Sequence, residues 1–248
     1  MRAPIQIVVF VVFVAALMLA ACSGKPASSD DAQLNPKETY APVIDPANFI
    51  SQIDNPYMPL LPGTTFISEG KTEKGNEYNE VYVSPETKVI LGVTCVVVKD
   101  KVMVDGVLEE ATLDWYAQDK QGNVWYFGEN SKEYQDGQVT STAGSWEAGV
   151  NNALPGIVMQ ANPTVGETYR QEYYKGEAED WASVLSLSES VTVPTGSYSN
   201  VLMTNEWSGL DNPPIYEHKY YAAGIGFIMT KYVEGGYEMK LVEIRQGE

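Results

Sequence analysis

The side chains of this 248-residue chain that could do chemistry are mostly carboxylates, with 33 acids set against 16 Lys and Arg and a single His. Two carboxyls flanking a scissile bond are the machinery of glycoside cleavage. Asp114, Glu129, Glu147, Glu172 and Asp180 are the candidates for such a pair, and nothing in their spacing selects two of them. His218 is the one imidazole, in Ile215-Tyr216-Glu217-His218-Lys219-Tyr220-Tyr221. It could serve as a general base or a ligand contact. Strand alternation puts it on one face with Tyr216 and Tyr220, where a hydrogen-bonded histidine beside tyrosines is the simpler expectation. One His cannot build a multi-His zinc site, and the sequence holds no phosphate loop, no G-x-S-x-G elbow and no H-E-x-x-H pair. Glu177-Ala178-Glu179-Asp180 offers oxygen ligands of the kind Ca²⁺ takes, but reads as a solvated loop. No metal or cofactor is expected.

Charge narrows the partners. A net charge of -17 argues against nucleic acid, whose phosphates are bound through Lys and Arg, and against peripheral docking on anionic lipid. Aromatic residues are more informative, with 16 Tyr and 5 Trp against 6 Phe. Tyr and Trp join an apolar body to a polar tip, which suits a ligand groove as well as a large β-sheet.

The first residues carry an address. Arg2 precedes an unbroken apolar run from Ile7 to Ala21, 15 residues long. A spanning helix needs about 20, so the run reads as a cleaved signal peptide over residues 1–21. It ends in Leu19-Ala20-Ala21-Cys22, which resembles the lipobox of bacterial lipoproteins. That resemblance implies a diacylglyceryl thioether on Cys22 and a partner in the membrane itself. Ser23, where an inner-membrane retention signal would place Asp, implies the outer membrane, facing the periplasm, in a two-membrane cell. Cys95 is then the one remaining thiol, and its apolar setting in Val93-Thr94-Cys95-Val96-Val97-Val98 predicts a buried, inert group.

Residues 22–44, rich in Ser, Ala, Pro, Asp and Lys, read as a flexible tether. Residues 45–248 are long enough for a single β-rich domain with its own core. Asp45-Pro46 predicts a capped short helix. The prolines of Asp54 to Gly63 rule out regular structure there and predict a packed loop. Beyond Gly63 the apolar residues alternate, as in Tyr237, Met239 and Leu241, which argues antiparallel strands. Asp105-Gly106 and Asp136-Gly137 are hairpin turns, because Gly accepts the positive φ such turns demand. Ser145 to Asn152 is a second helical candidate, weakened by Gly149. The expected fold is mainly β: a curved antiparallel sheet or open barrel with one or two short helices.

Register gives a candidate site. If Asp105-Gly106 is the whole turn and pairing runs outward without interruption, Cys95 faces Tyr116, Val97 faces Asp114 and Lys101 faces Glu110. One face then carries Val96, Val98, Val102, Val104, Val107, Ala111, Leu113 and Trp115. With Asp119 to Gly122 as the next loop, Trp125 faces Tyr116 and Phe127 faces Asp114. Asp114, Tyr116, Trp125 and Phe127 would thus share one face as a ligand groove.

Near the C-terminus, Val193-Pro194-Thr195-Gly196 and Tyr220-Tyr221-Ala222-Ala223-Gly224-Ile225-Gly226 resemble turn and strand-start signals of bacterial lipoproteins built on curved antiparallel sheets. More weakly, the sheet type is similar to the half-barrels of Lol-type lipoprotein carriers. The resemblance implies fold rather than activity. The functional expectation is a non-catalytic binding or envelope-assembly module for an apolar or amphipathic ligand. The alternative is a hydrolase of glycan or ester substrates that uses acidic residues and His218.

Overall fold

The computed structural model describes residues 40–247. The signal peptide, Cys22 and the tether as far as Thr39 lie outside the described residues. A 3-10 turn, Pro46–Asn48, opens the domain. The strands that follow are β1 Phe49–Ile50, β2 Thr64–Lys71, β3 Asn76–Ile90, β4 Val93–Val104, β5 Val107–Asp119, β6 Val124–Gln135, β7 Gln138–Ser141 and β8 Trp146–Glu147. Then come β9 Leu154–Met159, β10 Thr168–Arg170, β11 Glu172–Tyr173, β12 Asp180–Val193, β13 Gly196–Ser208, β14 Glu217–Ala222, β15 Gly226–Tyr232 and β16 Glu238–Gln246. The mainly-β antiparallel expectation is met, and no α-helix occurs among the described residues.

The sheet runs in the order β10-β12-β13-β14-β15-β16-β2-β3-β4-β5-β6-β9-β11. Its two ends are consecutive pieces of one segment. Thr168–Arg170 pairs with Ser183–Trp181 of β12, and Glu172–Tyr173 pairs with Pro155–Leu154 of β9. Thr168–Tyr173 therefore closes the sheet into a nearly complete barrel, which removes its exposed edges. Closure brings the backbone of β9 against this segment. A Cβ on Gly156 would sit 2.3 Å from the Gln171 carbonyl carbon and oxygen, so only glycine fits there. Outside the seam, the Arg170 guanidinium lies 4.4 Å from the Tyr173 ring and 4.0 Å from Trp181, held by ring faces rather than hydrogen bonds. The tie begins at Tyr40, whose hydroxyl donates to the Pro155 carbonyl at 2.7 Å.

Local sequence explains most turns. Asp45 caps the 3-10 turn, its Oδ1 accepting from the Ala47 N–H at 3.0 Å, and Pro46 takes the first position. Asp105-Gly106 and Asp136-Gly137 are two-residue reversals with φ of 48° and 81°, and 53° and 74°. The helix expected over Ser145–Asn152 is absent. Trp146–Glu147 pairs with β6, the Ala148 N–H goes to the Phe127 carbonyl, and Asn151 and Asn152 take positive φ. Left-handed asparagines next to Gly149 favour a turn over a helix.

Two irregularities correct the expected register, and a third, between Asp114 and Tyr116, sets Glu129 opposite Asp114. Val104 does face Val107, but Met103 pairs with Leu108 and Val102 with Glu110, so Glu109 is an extra, bulged residue. Beyond the bulge Val98 faces Asp114, Val97 faces Trp115 and Val96 faces Tyr116. Next, Asp119 accepts the Asn123 backbone N–H on Oδ1, at 2.9 Å, which takes Asn123 into the loop as one extra residue, so that Gln118 faces Val124. Tyr116 then faces Tyr126, and Trp125 faces Ala117. Each shift is one residue, which moves every side chain to the opposite face. Ala111, Leu113 and Trp115 accordingly sit outside with Lys101, Lys99 and Val97, not beside Val96 and Val98.

The inner face is identified by a cluster that draws on strands all around the barrel: Val83, Val96, Val98, Val124, Met159, Val184, Leu202 and Tyr221. The proline-rich loop plugs this apolar end with Ile53 and Leu60. It is strapped by the Gly224 N–H to the Pro56 carbonyl at 2.7 Å and by Asn55 Nδ2 to the Gly122 and Gln160 carbonyls. A second core lies on the outer side of β4–β6, where Cys95, Val97, Trp115, Ala117 and Phe127 pack under Phe49, Ile44, Ala148 and Ala153. Fully burying an aliphatic or aromatic side chain contributes about 1.5–3 kcal/mol, so these two layers carry much of the stability.

Closure predicts a specific weakness. Gly156→Ala should lower stability by about 1–3 kcal/mol through overpacking at the seam, read as a reduced urea midpoint. An unchanged midpoint would mean the seam is looser than drawn.

Candidate functional site

Away from the plug the inner face turns polar. Register places Glu77, Asn79, Asp100, Glu110, Thr112, Asp114 and Glu129 inward on one wall, in line with Val81, Val83, Val96 and Val98. The facing wall turns Asp180, Thr204, Glu206, Glu217 and Lys219 inward, in line with Val184, Leu202 and Tyr221. The interior thus has an apolar half and an acidic half with one lysine.

Lys219 is organised around Glu206. Its Nζ lies 2.9 Å from Glu206 Oε2, while Glu206 Oε1 accepts from Thr204 at 2.8 Å and Tyr221 at 3.1 Å. Burial alone would push the Lys219 ammonium down, but Glu206, Tyr221 and Glu217 outweigh it and hold it well above its usual range. The Glu206 side chain is 7% exposed, yet Lys219 is 32% exposed although walls surround it. Side chains leave room for solvent at this end of the barrel.

On the opposite wall the Tyr126 hydroxyl stands 2.6 Å from Asp114 Oδ1 and 2.8 Å from Glu129 Oε2. Its ring stacks on Tyr116 at 4.8 Å and meets the edge of Trp146 at 5.4 Å. The Trp146 indole N–H donates to Glu172 at 2.7 Å. Burial raises the carboxyls here above their ordinary range, and their neighbours add to it. Glu129 is raised to about 7, with Glu110 adding to burial. Asp100 is also raised to about 7, despite the hydrogen bond from Asn79 that favours its charge. Asp114, Glu172, Asp180 and Glu217 shift the same way for the same leading reason.

The proposed quartet is divided by the barrel wall. Asp114 and Tyr116 point inward, whereas Trp125 and Phe127 point outward and pack edge-on against Phe49 at 6.3 and 5.5 Å. Trp125 is further fixed by its indole N–H to Asp119 at 2.9 Å. The shared groove is therefore corrected: Asn123, an extra loop residue, shifts the pairing and turns the two rings out. Of the acidic candidates, Asp114, Glu129, Glu172 and Asp180 gather in the interior. Glu147 faces out to Lys88 at 2.6 Å, with the lysine ammonium 3.3 Å above the Trp115 ring. His218 lies on the outer face beside Lys231, its pKa lowered by burial and then by that lysine. Cys95 is buried and its thiol is pushed up to about 12 by desolvation. Cys22 lies outside the described residues.

Sequence reasoning missed Asp100, Glu206, Glu217 and Lys219. The signal for three of them was present: Thr204-x-Glu206 and Glu217-x-Lys219-x-Tyr221 alternate polar residues with apolar or aromatic ones, but alternation alone does not say which set faces inward. A cleft of about 810 Å³ lies outside the barrel, lined by Glu69, Lys71, Tyr78, Pro194 and Lys240 among others. Its mixed charges do not converge on a point, so the interior is the stronger candidate. Among the described residues no group of three or more His, Cys, Asp or Glu is placed to hold a metal ion.

No protein-family model matches the sequence, and no curated protein matches it. Two solved structures are similar in backbone. One is a presumed exported protein with a YmcC-like fold from Bacteroides fragilis, 14% identical, with a TM-score of 0.45, covering 77% of this chain and 99% of that one. The other is a presumed lipoprotein from Parabacteroides distasonis, 14% identical, with a TM-score of 0.42, covering 78% and 100%.

The raised carboxyls set a pH dependence. A carboxyl at about 7 in the folded barrel and at about 4 in the unfolded chain binds more protons when folded. Its contribution to stability therefore falls as pH rises between those values. Denaturant midpoints should drop from about pH 5 to about pH 8, and Asp100→Asn should flatten part of that slope. A midpoint that rises with pH in both proteins would contradict the assigned environment.

Proposed function

We propose that this chain is a lipid-anchored, extracytoplasmic binding module, without catalysis, whose barrel interior takes an amphipathic ligand with a positively charged head. One observation carries the reading. A single interior joins an apolar, plugged half to an acidic half in which Lys219 stays 32% exposed. The apolar half is closely packed, so a tail would enter it by displacing the plug residues Ile53 and Leu60, and a cation near Glu217 and Asp100 would offset the repulsion among carboxyls held close together in a low-dielectric wall. The anchor rests on the Cys22 motif and supplies the membrane as a partner. For the hydrolytic alternative, the geometry offers less. Asp114 is 7% exposed and already bonded to Tyr126, and His218 is on the other side of the sheet from the acids.

Titration with a dansyl-labelled long-chain alkylamine should give saturable fluorescence enhancement, and the matching fatty acid should bind more weakly. Glu217→Gln should reduce amine affinity by about tenfold while circular dichroism is unchanged. Tighter binding of the fatty acid, or equal amine binding by the variant, would discard this assignment. Separately, Cys22→Ser should move the protein from the membrane to the soluble fraction of cells that process lipoproteins, and membrane retention in high salt would refute the anchor.

A further inference from the structure

We infer that Asp114, Tyr126 and Glu129 hold one shared proton, and that its loss as pH rises loosens β8 and the turn after it. The inference goes beyond the binding proposal and does not depend on it. It starts from counting hydrogens. A phenol has one O–H, yet two carboxyl oxygens lie 2.6 and 2.8 Å from the Tyr126 oxygen. With both carboxyls ionised, only one of them could accept that hydrogen. The other would face the lone pairs of the phenol oxygen at hydrogen-bond distance. Asp114 is 7% exposed, so water cannot readily fill the gap. One additional proton on either carboxyl satisfies both contacts: the protonated carboxyl donates to the phenol oxygen, and the phenol donates to the remaining carboxylate.

The surroundings favour keeping that proton. The groups facing the triad are Asp100 from β4, Glu110 and Tyr116 from β5, Glu172 from β11 and Asp180 from β12. All are acids or phenols. Trp146 from β8 is uncharged, and the cation of the interior, Lys219, is paired with Glu206. Releasing the proton to solvent leaves two carboxylates around one phenol with no cation to neutralise them. Burial and these neighbours raise both carboxyls, in the direction the geometry requires.

The adjoining element has little backbone pairing and is tied by side chains, Trp146 to Glu172 at 2.7 Å and Glu147 to Lys88 at 2.6 Å. β8 is two residues long and pairs only with β6, through Gly128–Glu147 and Glu129–Trp146. Trp146 therefore sits in register with a member of the triad and packs on the ring of another. At Gly128 a Cβ would lie 2.3 Å from the Trp146 carbonyl oxygen, so the two backbones touch where the charge would appear. Residues 148–153 follow directly and cover Phe127 on the outer core. Asp114 and Glu129 are fixed to each other by the β5–β6 pairing, so the charge is relieved by moving Trp146 and this short cover aside to admit water to the two carboxylates.

Hydrogen exchange of the full chain, corrected for the intrinsic effect of pH, tests the inference over residues 144–153. Protection should fall about tenfold between about pH 5 and about pH 8. Glu129→Gln cannot ionise, and its amide N–H₂ donates to the Tyr126 oxygen while Tyr126 donates to Asp114, so it should keep protection equal at both values. If Glu129→Gln does not fold, Asp114→Asn provides the same comparison. Equal protection of the unmodified protein at the two pH values would overturn the inference. So would an undiminished pH effect in the variant.

Discussion

A sheet whose two ends are one continuous piece of chain has no free edge to open from. Thr168–Arg170 pairs with β12 and Glu172–Tyr173 with β9, and the change of partner follows Gln171, whose N–H still goes to the Asp180 carbonyl. Everything described for the interior depends on that junction. Were it to separate, Asp180 and Glu172 would turn to solvent and the facing walls would no longer confront each other. Gly156 is the residue that lets the backbones come together, and the Arg170 stack against Tyr173 and Trp181 covers the junction from outside.

Closure sets the electrostatics. In an open sheet, a column such as Asp100, Thr112 and Asp114 would shed its charge into water. Inside a barrel it faces another acidic wall, and ionisation is opposed first by burial and then by its neighbours. Lys219 shows the reverse balance, since Glu206, Tyr221 and Glu217 outweigh the desolvation of its ammonium. The apolar half needs none of this, because the strapped loop with Ile53 and Leu60 keeps it dry.

Much of the fold was legible in the sequence. Alternating apolar residues, the Asp-Gly turns, the Asp45 cap and the proline-rich loop all correspond to observed features. The candidate site was legible only in part, for a definite reason. The bulge at Glu109 and the extra loop residue Asn123, held by Asp119, each change the pairing by one residue. Glu109 sits in Val107-Leu108-Glu109-Glu110, a run with no glycine to mark a bulge, and only the tertiary pairing of β3, β4 and β5 creates it. Trp125 and Phe127 were thereby assigned to the wrong side, while Asp114 and Tyr116 kept their place with the acids. Lys219 and Glu206 sit diagonally across the pairing of two consecutive strands, and the irregular stretch between those strands hides that register from the sequence. Ser145–Asn152 failed as a helix because three neighbouring residues, Gly149, Asn151 and Asn152, take left-handed conformations.

The position of Tyr40 has a mechanical meaning. Its hydroxyl is bonded to Pro155, next to Gly156, and its ring stands 6.0 Å from Tyr173, so the first described residue grips both sides of the junction at once. Tension applied to the chain at Tyr40 would reach the barrel at this junction, and the direction of pull would decide whether the contacts there are sheared together or peeled one by one.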